Sequence, residues 1–266
     1  MNTLITGASS GIGEAIAIEC ARHGDTLFLC GRNRERLEGV AEGCRNEGAA
    51  AVYAEVLDVN DAEAARDWLV RSNSIAPLER IFSNAGIGTG IEDEANVRQT
   101  WATNVGGNIN IVLPAINIFR ARKVGDHPHR QILVTSSIAG YGPIASCPAY
   151  SGSKAAMKTW ALALRGMLKK EGIKVSAICP GFVRSRITDR NTCPMPFFME
   201  ADKAARIILK RADKNVGLIA FPWPMRLATW FLSILPFRVN EFINSLLPEK
   251  THRADSSPNP LSRQKI

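Results

Sequence analysis

The sequence predicts an α/β fold with a doubly wound parallel sheet in a single domain. Short apolar runs alternate with longer segments in which apolar residues recur at helical spacing, and this order repeats along most of the chain. A glycine-rich turn joins the first apolar run to the first helical segment. With 266 residues, 45% of them hydrophobic, the chain can bury one large core, which argues against disorder and against a disulfide scaffold.

The apolar runs are predicted to be strands, and the segments between them helices. The predicted strands span residues 3–6, 26–30, 50–57, 80–83, 131–135, 174–178 and 216–221. The predicted helices span residues 12–23, 34–46, 62–72, 94–122, 150–170 and 201–211. Strands joined by crossover helices pair in parallel, and such sheets bind ligands at the carboxyl ends of their strands.

The chain is divided into a core domain at 1–222, a helical extension at 223–248 and a tail at 249–266. In the extension, apolar residues recur at i, i+3, i+4, i+7 and i+8 on both sides of Pro236, which predicts two short amphipathic helices. The residues in this pattern are Leu227, Trp230, Phe231, Ile234 and Leu235, then Val239, Phe242, Ile243, Leu246 and Leu247. The tail is polar with two prolines and is expected to be disordered.

Three uses fit the apolar face of the segment from Trp223 to Leu247. It covers the substrate pocket, forms a subunit interface, or makes a peripheral contact with a membrane, since Arg226 and Arg238 flank a row of Trp and Phe side chains. The first two uses are the more common. The segment is too short to span a bilayer, because 11 residues separate the two arginines, against the roughly 20 that a spanning helix needs.

The net charge of +8 favours an anionic partner, such as a nucleotide phosphate, a nucleic acid or an acidic membrane. Nucleic-acid binding is not expected, because no basic stripe is interleaved with aromatic residues. The residues His127-Pro128-His129 lie in a short segment without a nearby third ligand, so no metal site is expected.

Cysteine spacing and the N-terminal residues both bear on the cellular compartment. The cysteines are widely spread without a C-x-x-C pair, so they are interpreted as reduced apolar side chains rather than metal ligands or disulfides. They are Cys20, Cys30, Cys44, Cys147, Cys179 and Cys193. The first residues lack the basic and apolar regions of a signal peptide. We therefore expect a cytoplasmic protein.

The glycine-rich turn is Thr6-Gly7-Ala8-Ser9-Ser10-Gly11-Ile12-Gly13. Glycines allow a tight turn and let a pyrophosphate approach bare backbone, while the following helix N-terminus supplies unpaired N–H groups. A strand before the turn and a helix after it are the context that a dinucleotide site requires. The predicted cofactor contacts in the turn are Gly7, Ser9, Ser10, Gly11, Ile12 and Gly13.

Tyr150-Ser151-Gly152-Ser153-Lys154 places a phenol and an ammonium one turn apart on one face of a predicted helix. A phenol has a pKa of about 10, and lowering that pKa to about 7 would take about 4 kcal/mol of preferential stabilisation of the phenolate. The neighbouring ammonium and an oxidised nicotinamide are the groups expected to supply much of it. By itself, this pair also fits an ordinary helix with a solvated lysine.

The G-x-x-x-G-x-G turn and the Y-x-x-x-K pair together resemble the compact branch of the short-chain dehydrogenase/reductase family, which has a Rossmann-like fold. The resemblance implies that Tyr150 exchanges a proton with the substrate oxygen and that Lys154 holds the nicotinamide ribose. Ser137, 13 residues before Tyr150, matches the catalytic serine, with Ser136 as the alternative. Asn104 matches an asparagine that holds a water near the lysine, although it also fits a polar residue on a helix face.

The resemblance also implies the remaining cofactor contacts. The family's N-A-G element matches residues 84–86, its P-G turn matches residues 180–181, and its adenine-contacting acid matches Asp58. The contacts outside the glycine-rich turn are therefore predicted to be Arg32, Asp58, Val59, Asn84, Ala85, Gly86, Tyr150, Lys154, Pro180, Gly181 and Val183.

The end of the second predicted strand bears on the choice of cofactor. An acidic residue there favours NAD, whereas an arginine accommodates the 2′-phosphate of NADP. The strand ends in Gly31-Arg32, which favours NADP(H), although Ser10 stands where the family's second NADP mark would be a basic residue. Arg34 and Arg36 either add to the positive field or are solvated.

The expected function is NADP(H)-dependent reduction of a carbonyl substrate by a homodimer or homotetramer. An apolar run at 195–199, in the irregular stretch 182–199, suggests an apolar substrate, although it also fits a loop that packs on the core. An NAD-dependent alcohol dehydrogenase remains an alternative, as does a non-catalytic protein that binds NADP(H) or docks on a membrane.

Overall fold

The computed structural model describes residues 1–88, 92–122, 129–189, 191 and 194–245. Within these residues, seven parallel strands form one sheet in the order β3-β2-β1-β4-β5-β6-β7. The strands are β1 (Asn2–Thr6), β2 (Thr26–Gly31), β3 (Ala51–Val56), β4 (Arg80–Ser83), β5 (Gln131–Thr135), β6 (Lys174–Pro180) and β7 (Leu218–Phe221). The predicted doubly wound, Rossmann-like sheet is confirmed.

Helices cover both faces of the sheet. The helices are α1 (Gly11–Arg22), α2 (Arg34–Asn46), α3 (Ala62–Ile75), α4 (Glu94–Trp101), α5 (Asn108–Arg120), α6 (Pro148–Leu168), α7 (Ala201–Asp213), α8 (Trp223–Ile234) and α9 (Phe237–Ser245). One core cluster joins the sheet to α3, α5 and α6, and the other joins it to α1, α2 and α7. Because both faces are covered, the central strands are almost continuously apolar.

The sheet positions a ligand at its carboxyl edge. The chain leaves β1 toward β2 on one side and later returns to β4 on the other, so the strand order reverses between β1 and β4. The connections that leave these two strands diverge and open a crevice above the edge.

The predicted helix at 94–122 is helical over 94–120, but in three segments rather than as one α-helix. A π-helical turn at Ala102–Gly107 separates α4 from α5. The Asn108 side chain donates a hydrogen bond to the backbone oxygen of Asn104 at 2.8 Å, which gives this carbonyl a partner inside the widened turn. Such π-turns are rare and occur often at functional sites.

Other boundaries differ from the prediction by a few residues. The helix predicted at 150–170 begins at Pro148, a residue suited to the first helical position. The last strand begins at Leu218 instead of residue 216, because the Val216 backbone N–H donates to Arg211 at 3.0 Å and closes the end of α7. The predicted division at 222 and 248 stays a prediction, and Leu246, Leu247 and the tail lie outside the described residues.

Five of the cysteines, Cys20, Cys30, Cys44, Cys147 and Cys179, are buried and free. Cys193, His127 and Pro128 lie outside the described residues. Across the described ranges, no group of three or more His, Cys, Asp or Glu side chains is arranged to hold a metal ion. Nor is any helix in that part of the chain both long enough and apolar enough to cross a membrane.

Candidate active site

A cleft of about 370 Å³ lies at the carboxyl edge of the sheet. It brings together residues from the glycine-rich turn, the ends of β2, β4, β5 and β6, and the start of α6. The predicted site residues that line it are Gly7, Ser9, Ser10, Ile12, Arg32, Asp58, Val59, Asn84, Ala85, Gly86, Ser137, Tyr150, Lys154, Pro180, Gly181 and Val183.

The two other predicted glycines serve the packing of the turn. A Cβ on Gly13 would overlap the Gly7 carbonyl oxygen and lie 2.7 Å from the Asn84 amide nitrogen. Gly11 has a φ of +62°, and a Cβ there would lie 2.9 Å from the Cβ of Ser185. Both positions therefore need glycine for close approach or for backbone conformation.

The turn is suited to a pyrophosphate. Gly7 has a φ of +65° and lies so near Ala85 that a Cβ would be 2.9 Å from its Cα atom. Among the described residues, Ser10 makes no side-chain capping hydrogen bond at the start of α1. The first N–H groups of this helix thus keep their capacity to bind an anion, which fits a dinucleotide.

Thr6 and Thr135, which the sequence did not single out, fix the floor of the cleft. The Thr6 hydroxyl accepts hydrogen bonds from the backbone N–H groups of Asn84 at 2.9 Å and Ala85 at 3.0 Å. The Thr135 hydroxyl donates to the Asn84 side-chain oxygen at 3.1 Å. These contacts tie the ends of β1, β4 and β5 together and set the position of the N-A-G segment.

Ser137 is the first-choice catalytic serine of the sequence, and the geometry separates it from Ser136. The Ser136 hydroxyl donates to the Lys154 backbone oxygen at 2.6 Å and so anchors α6. The Ser137 hydroxyl accepts from the Ala139 N–H at 3.1 Å and forms a hydrogen bond with the Tyr150 phenol. Only Ser137 therefore pairs with Tyr150 in this arrangement.

Burial dominates the protonation of Tyr150. It raises the pKa of the phenol to about 12, and the hydrogen bond with Ser137 offsets only part of this rise. The lowered pKa expected from the neighbouring lysine is therefore not a property of the polypeptide alone, because desolvation disfavours the phenolate more than the site stabilises it. At neutral pH the phenol holds its proton, which is the form a proton donor needs.

Lys154 lies one turn further along α6 and is almost fully buried. Its ammonium is 5.7 Å from the centre of the Tyr150 ring and donates to the Thr135 backbone oxygen at 3.1 Å. Burial lowers the pKa of Lys154 to about 8. At neutral pH it is still mainly charged and can hold a hydroxyl-bearing ribose by hydrogen bonds.

Asn104 is fully buried in the π-turn and holds the loop that follows the N-A-G segment. Its side chain accepts from the Ile87 N–H at 2.8 Å and donates to the Ile87 carbonyl at 2.9 Å. A Cβ on Gly86 would lie 3.1 Å from both the Asn104 oxygen and the Lys154 nitrogen, so the three residues meet. Because Asn108 already binds its backbone oxygen, a water there would use the second lone pair.

Glu92 is a site residue that the sequence analysis missed. Both of its carboxylate oxygens accept from the Ala149 N–H at 3.2 Å, at the start of the helix that carries Tyr150. In the described part of the chain, the N-cap residue Cys147 makes no side-chain capping bond, so Glu92 supplies the negative group. The contact joins residues 57 apart in the sequence, and no local pattern signals it.

At the other end of the cleft, the arginines have separate roles. The Arg32 guanidinium lies 3.9 Å from the Asp58 carboxylate, and both side chains are about half exposed. Arg36 lines the cleft. Arg34 is exposed and pairs with Glu38 at 3.4 Å, so it is the solvated member of the group.

A second, largely apolar cavity of about 690 Å³ adjoins the cleft. Ser137 and Tyr150 line both spaces, and the remaining walls come from the 3₁₀ turn at Ile138–Tyr141, the stretch after β6, and the inner sides of α8 and α9. Apolar side chains around this cavity are Ile138, Ile144, Phe182, Ile187, Phe197, Met225, Leu232 and Ile243. The C-terminal helices therefore cover a pocket, which was one of their expected uses.

Comparison with known proteins identifies the class. The family model described as "short chain dehydrogenase" matches residues 1–194. An uncharacterized oxidoreductase of Myxococcus xanthus (strain DK1622) is 33% identical over 241 residues, covering 88% of this chain and 92% of the relative. The chain therefore belongs to the short-chain dehydrogenase family, as the sequence predicted.

More distant matches agree with this class. The 11-beta-hydroxysteroid dehydrogenase A of Sesamum indicum is 28% identical, covering 92% of this chain and 74% of the relative. A solved short-chain dehydrogenase from Sphingobium yanoikuyae, in complex with NADPH, superposes with a TM-score of 0.74 at 24% identity, covering 94% of this chain and 97% of that one. A Burkholderia phymatum family member in complex with NAD gives 0.75 at 24% identity, covering 86% and 91%.

The protein is accordingly an oxidoreductase that acts on CH–OH or C=O groups of a small-molecule substrate and uses a nicotinamide cofactor.

Proposed function

We propose that the protein reduces an apolar ketone or aldehyde with NADPH. The observation that carries this proposal is the position of Ser137 and Tyr150, which line both the cleft and the apolar cavity. A carbonyl oxygen placed between the two hydroxyls belongs to a substrate whose body fills the apolar cavity. The bound cofactor, lying in the cleft, supplies the hydride to the carbonyl carbon.

Tyr150 acts as the general acid in this direction. Its phenol keeps its proton at neutral pH, because burial raises its pKa to about 12. The phenol transfers that proton to the substrate oxygen as charge develops there, and Ser137 donates a hydrogen bond to the same oxygen. Lys154 holds the ribose, and Asn104 positions the loop beside Lys154.

Replacing Tyr150 by phenylalanine tests the assignment directly. The variant keeps the ring but loses the proton donor, so we expect turnover to fall by about a hundred- to ten-thousand-fold. NADPH binding, followed by quenching of protein fluorescence, should change little. A variant that binds NADPH and still reduces the substrate at the natural rate would remove Tyr150 from this role.

The preference for NADPH is proposed from charge at the far end of the cleft. Arg32 and Arg36 line the cleft there, and the 2′-phosphate carries the negative charge that two guanidinium groups bind well. The match to a family member solved with NADPH is in line with this choice, although another match was solved with NAD.

Arg32→Ala tests the preference. We expect its KM for NADPH to rise at least about tenfold, the worth of one charge-assisted pair, while the KM for NADH changes much less. Arg34→Ala is the matched control, because Arg34 pairs with Glu38 instead of lining the cleft. An acidic residue at Gly31 is a poorer test, since its Cβ would lie 2.8 Å from the Ser9 hydroxyl. Equal loss with both cofactors would contradict the assignment.

The substrate is proposed to be bulky as well as apolar. A cavity of about 690 Å³ falls in the range of pockets that enclose drug-sized molecules. The sesame relative named as a hydroxysteroid dehydrogenase is consistent with a substrate of this size. A panel of ketones with increasing apolar bulk, followed by NADPH absorbance, should show kcat/KM rising with size. A preference for small polar aldehydes would refute this substrate class.

We also propose that the protein forms a homodimer or homotetramer through α5 and α6. Leu113 on α5 and Met167 on α6 are large apolar side chains exposed on these helices. A variant with Leu113→Glu and Met167→Glu should be smaller in light scattering than the natural protein. An unchanged mass would place the interface elsewhere.

A further inference from the structure

Helix α8 is apolar on two opposite sides. Its inner side, with Met225, Ala228 and Leu232, lines the apolar cavity. Its outer side carries five large apolar residues that are between 50% and 73% exposed, namely Trp223, Leu227, Trp230, Phe231 and Ile234. At helical spacing these five fall within about 100° of the circumference, so they form one continuous face.

Helix α9 extends this outer face. Val239 and Phe242 are exposed, whereas Asn240 is buried and Ile243 lines the cavity. The Asn240 side chain donates to the Leu232 carbonyl at 2.9 Å, which fixes α9 against the end of α8. The two helices therefore present a single apolar surface, called here the outer face.

The charges around the outer face are mostly positive. Arg226 and Arg238 lie on the same two helices, and Glu241 is the one acidic residue in the sequence from 223 to 248. Residues 249–266 add four Lys or Arg against two Asp or Glu, and the whole chain carries +8. A two-fold contact between copies would bring these arginines toward each other with few acids to pair with them.

Tryptophan and phenylalanine on one side of a short helix, flanked by arginines, are the residue types that favour the boundary between lipid and water. We propose that the outer face docks the protein on an anionic lipid surface, with α8 and α9 lying in the plane of that surface. The anionic headgroups pair with the arginines, and the exposed aromatic side chains enter the acyl boundary.

This placement has a consequence for the substrate, which rests on the proposed function. The helix that contacts lipid on one side forms a wall of the apolar cavity on the other. A bulky apolar ketone dissolved in the lipid then has a short path to Ser137 and Tyr150.

Sedimentation of the full chain with lipid vesicles tests the docking without any need for turnover. We expect binding to vesicles of phosphatidylcholine with phosphatidylserine, and weaker binding to phosphatidylcholine alone. Replacing Trp230 and Phe231 together by serine should weaken binding to the mixed vesicles by at least about tenfold. Arg238→Gln should weaken binding to the mixed vesicles and leave binding to phosphatidylcholine unchanged.

Val70→Ser is the matched control, because Val70 on α3 and Phe231 are both 54% exposed. It should bind vesicles like the natural protein, and NADPH binding verifies that every variant is folded. Absence of natural-protein binding to either vesicle overturns the proposal, as does undiminished binding by the double variant. A double variant whose mass falls in light scattering, with no vesicle binding by the natural protein, would show a contact between copies instead.

Discussion

Burying the Lys154 ammonium destabilises the folded protein. The pKa of this group falls from 10.5 to about 8 because of desolvation. At about 1.4 kcal/mol per pKa unit, the charged form costs the folded state about 3 kcal/mol at neutral pH. Replacing Lys154 by methionine, of similar length and without charge, removes this cost. It also leaves the Thr135 carbonyl without its donor, which costs about 1–3 kcal/mol. We therefore expect the variant to be inactive yet about 1–2 kcal/mol more stable at pH 7.

The dependence on pH distinguishes this explanation from simple repacking. Between about pH 8 and 10.5 the unfolded chain binds the Lys154 proton and the folded chain has released it. The free energy of unfolding of the natural protein therefore gains with rising pH in this window, whereas the methionine variant lacks this gain. The advantage of the variant should shrink by about 2 kcal/mol between pH 7 and 9.5.

Urea denaturation of both proteins at pH 7 and pH 9.5 measures this difference. Other buried groups whose pKa is raised, such as Tyr150 and Cys30, titrate in both proteins and cancel from the comparison. Lys210→Met, at an exposed position on α7, is the control and should show no such dependence. A stability difference for Lys154→Met that is equal at both pH values would refute the reasoning.

Three more predictions concern the turn, the catalytic helix and the core. Gly13→Ala should lose NADPH binding and about 1–3 kcal/mol of stability, because its Cβ overlaps the Gly7 carbonyl; a titration showing natural affinity would contradict this. Glu92→Gln should lower kcat/KM about two- to fivefold, since a neutral amide interacts less well with the N-terminus of α6; steady-state rates equal to those of the natural protein would leave Glu92 without a positioning role. Phe119→Ala, in the core between α5 and the sheet, should cost about 3–5 kcal/mol in urea denaturation while the active protein keeps its KM for NADPH; a loss below 1 kcal/mol would show that the core collapses around the gap.

The sequence predicted the features that depend on local order. Alternating apolar runs and helical segments give the parallel sheet, because crossover helices permit few other topologies. The glycine-rich turn was recognised from the strand before it and the helix after it. The π-turn at Ala102–Gly107 was missed, since its residues keep a helical pattern and the widening depends on the side-chain contacts of Asn104 and Asn108.

Choices between neighbouring residues needed coordinates. Ser136 and Ser137 are equivalent in sequence, but one hydroxyl binds the α6 backbone and the other binds the Tyr150 phenol. Arg34 and Arg36 differ in the same way, because helical phase alone does not reveal which side chain turns toward the cleft. Glu92 was missed because its partner lies far along the chain.

Two hydroxyls stand at the junction between the dinucleotide cleft and the apolar cavity. The volumes on either side of Ser137 and Tyr150 are therefore separately addressable by inhibitors. A rigid hydrocarbon compound that fills the cavity without passing this junction should compete with the carbonyl substrate while leaving the apparent affinity for the dinucleotide nearly unchanged.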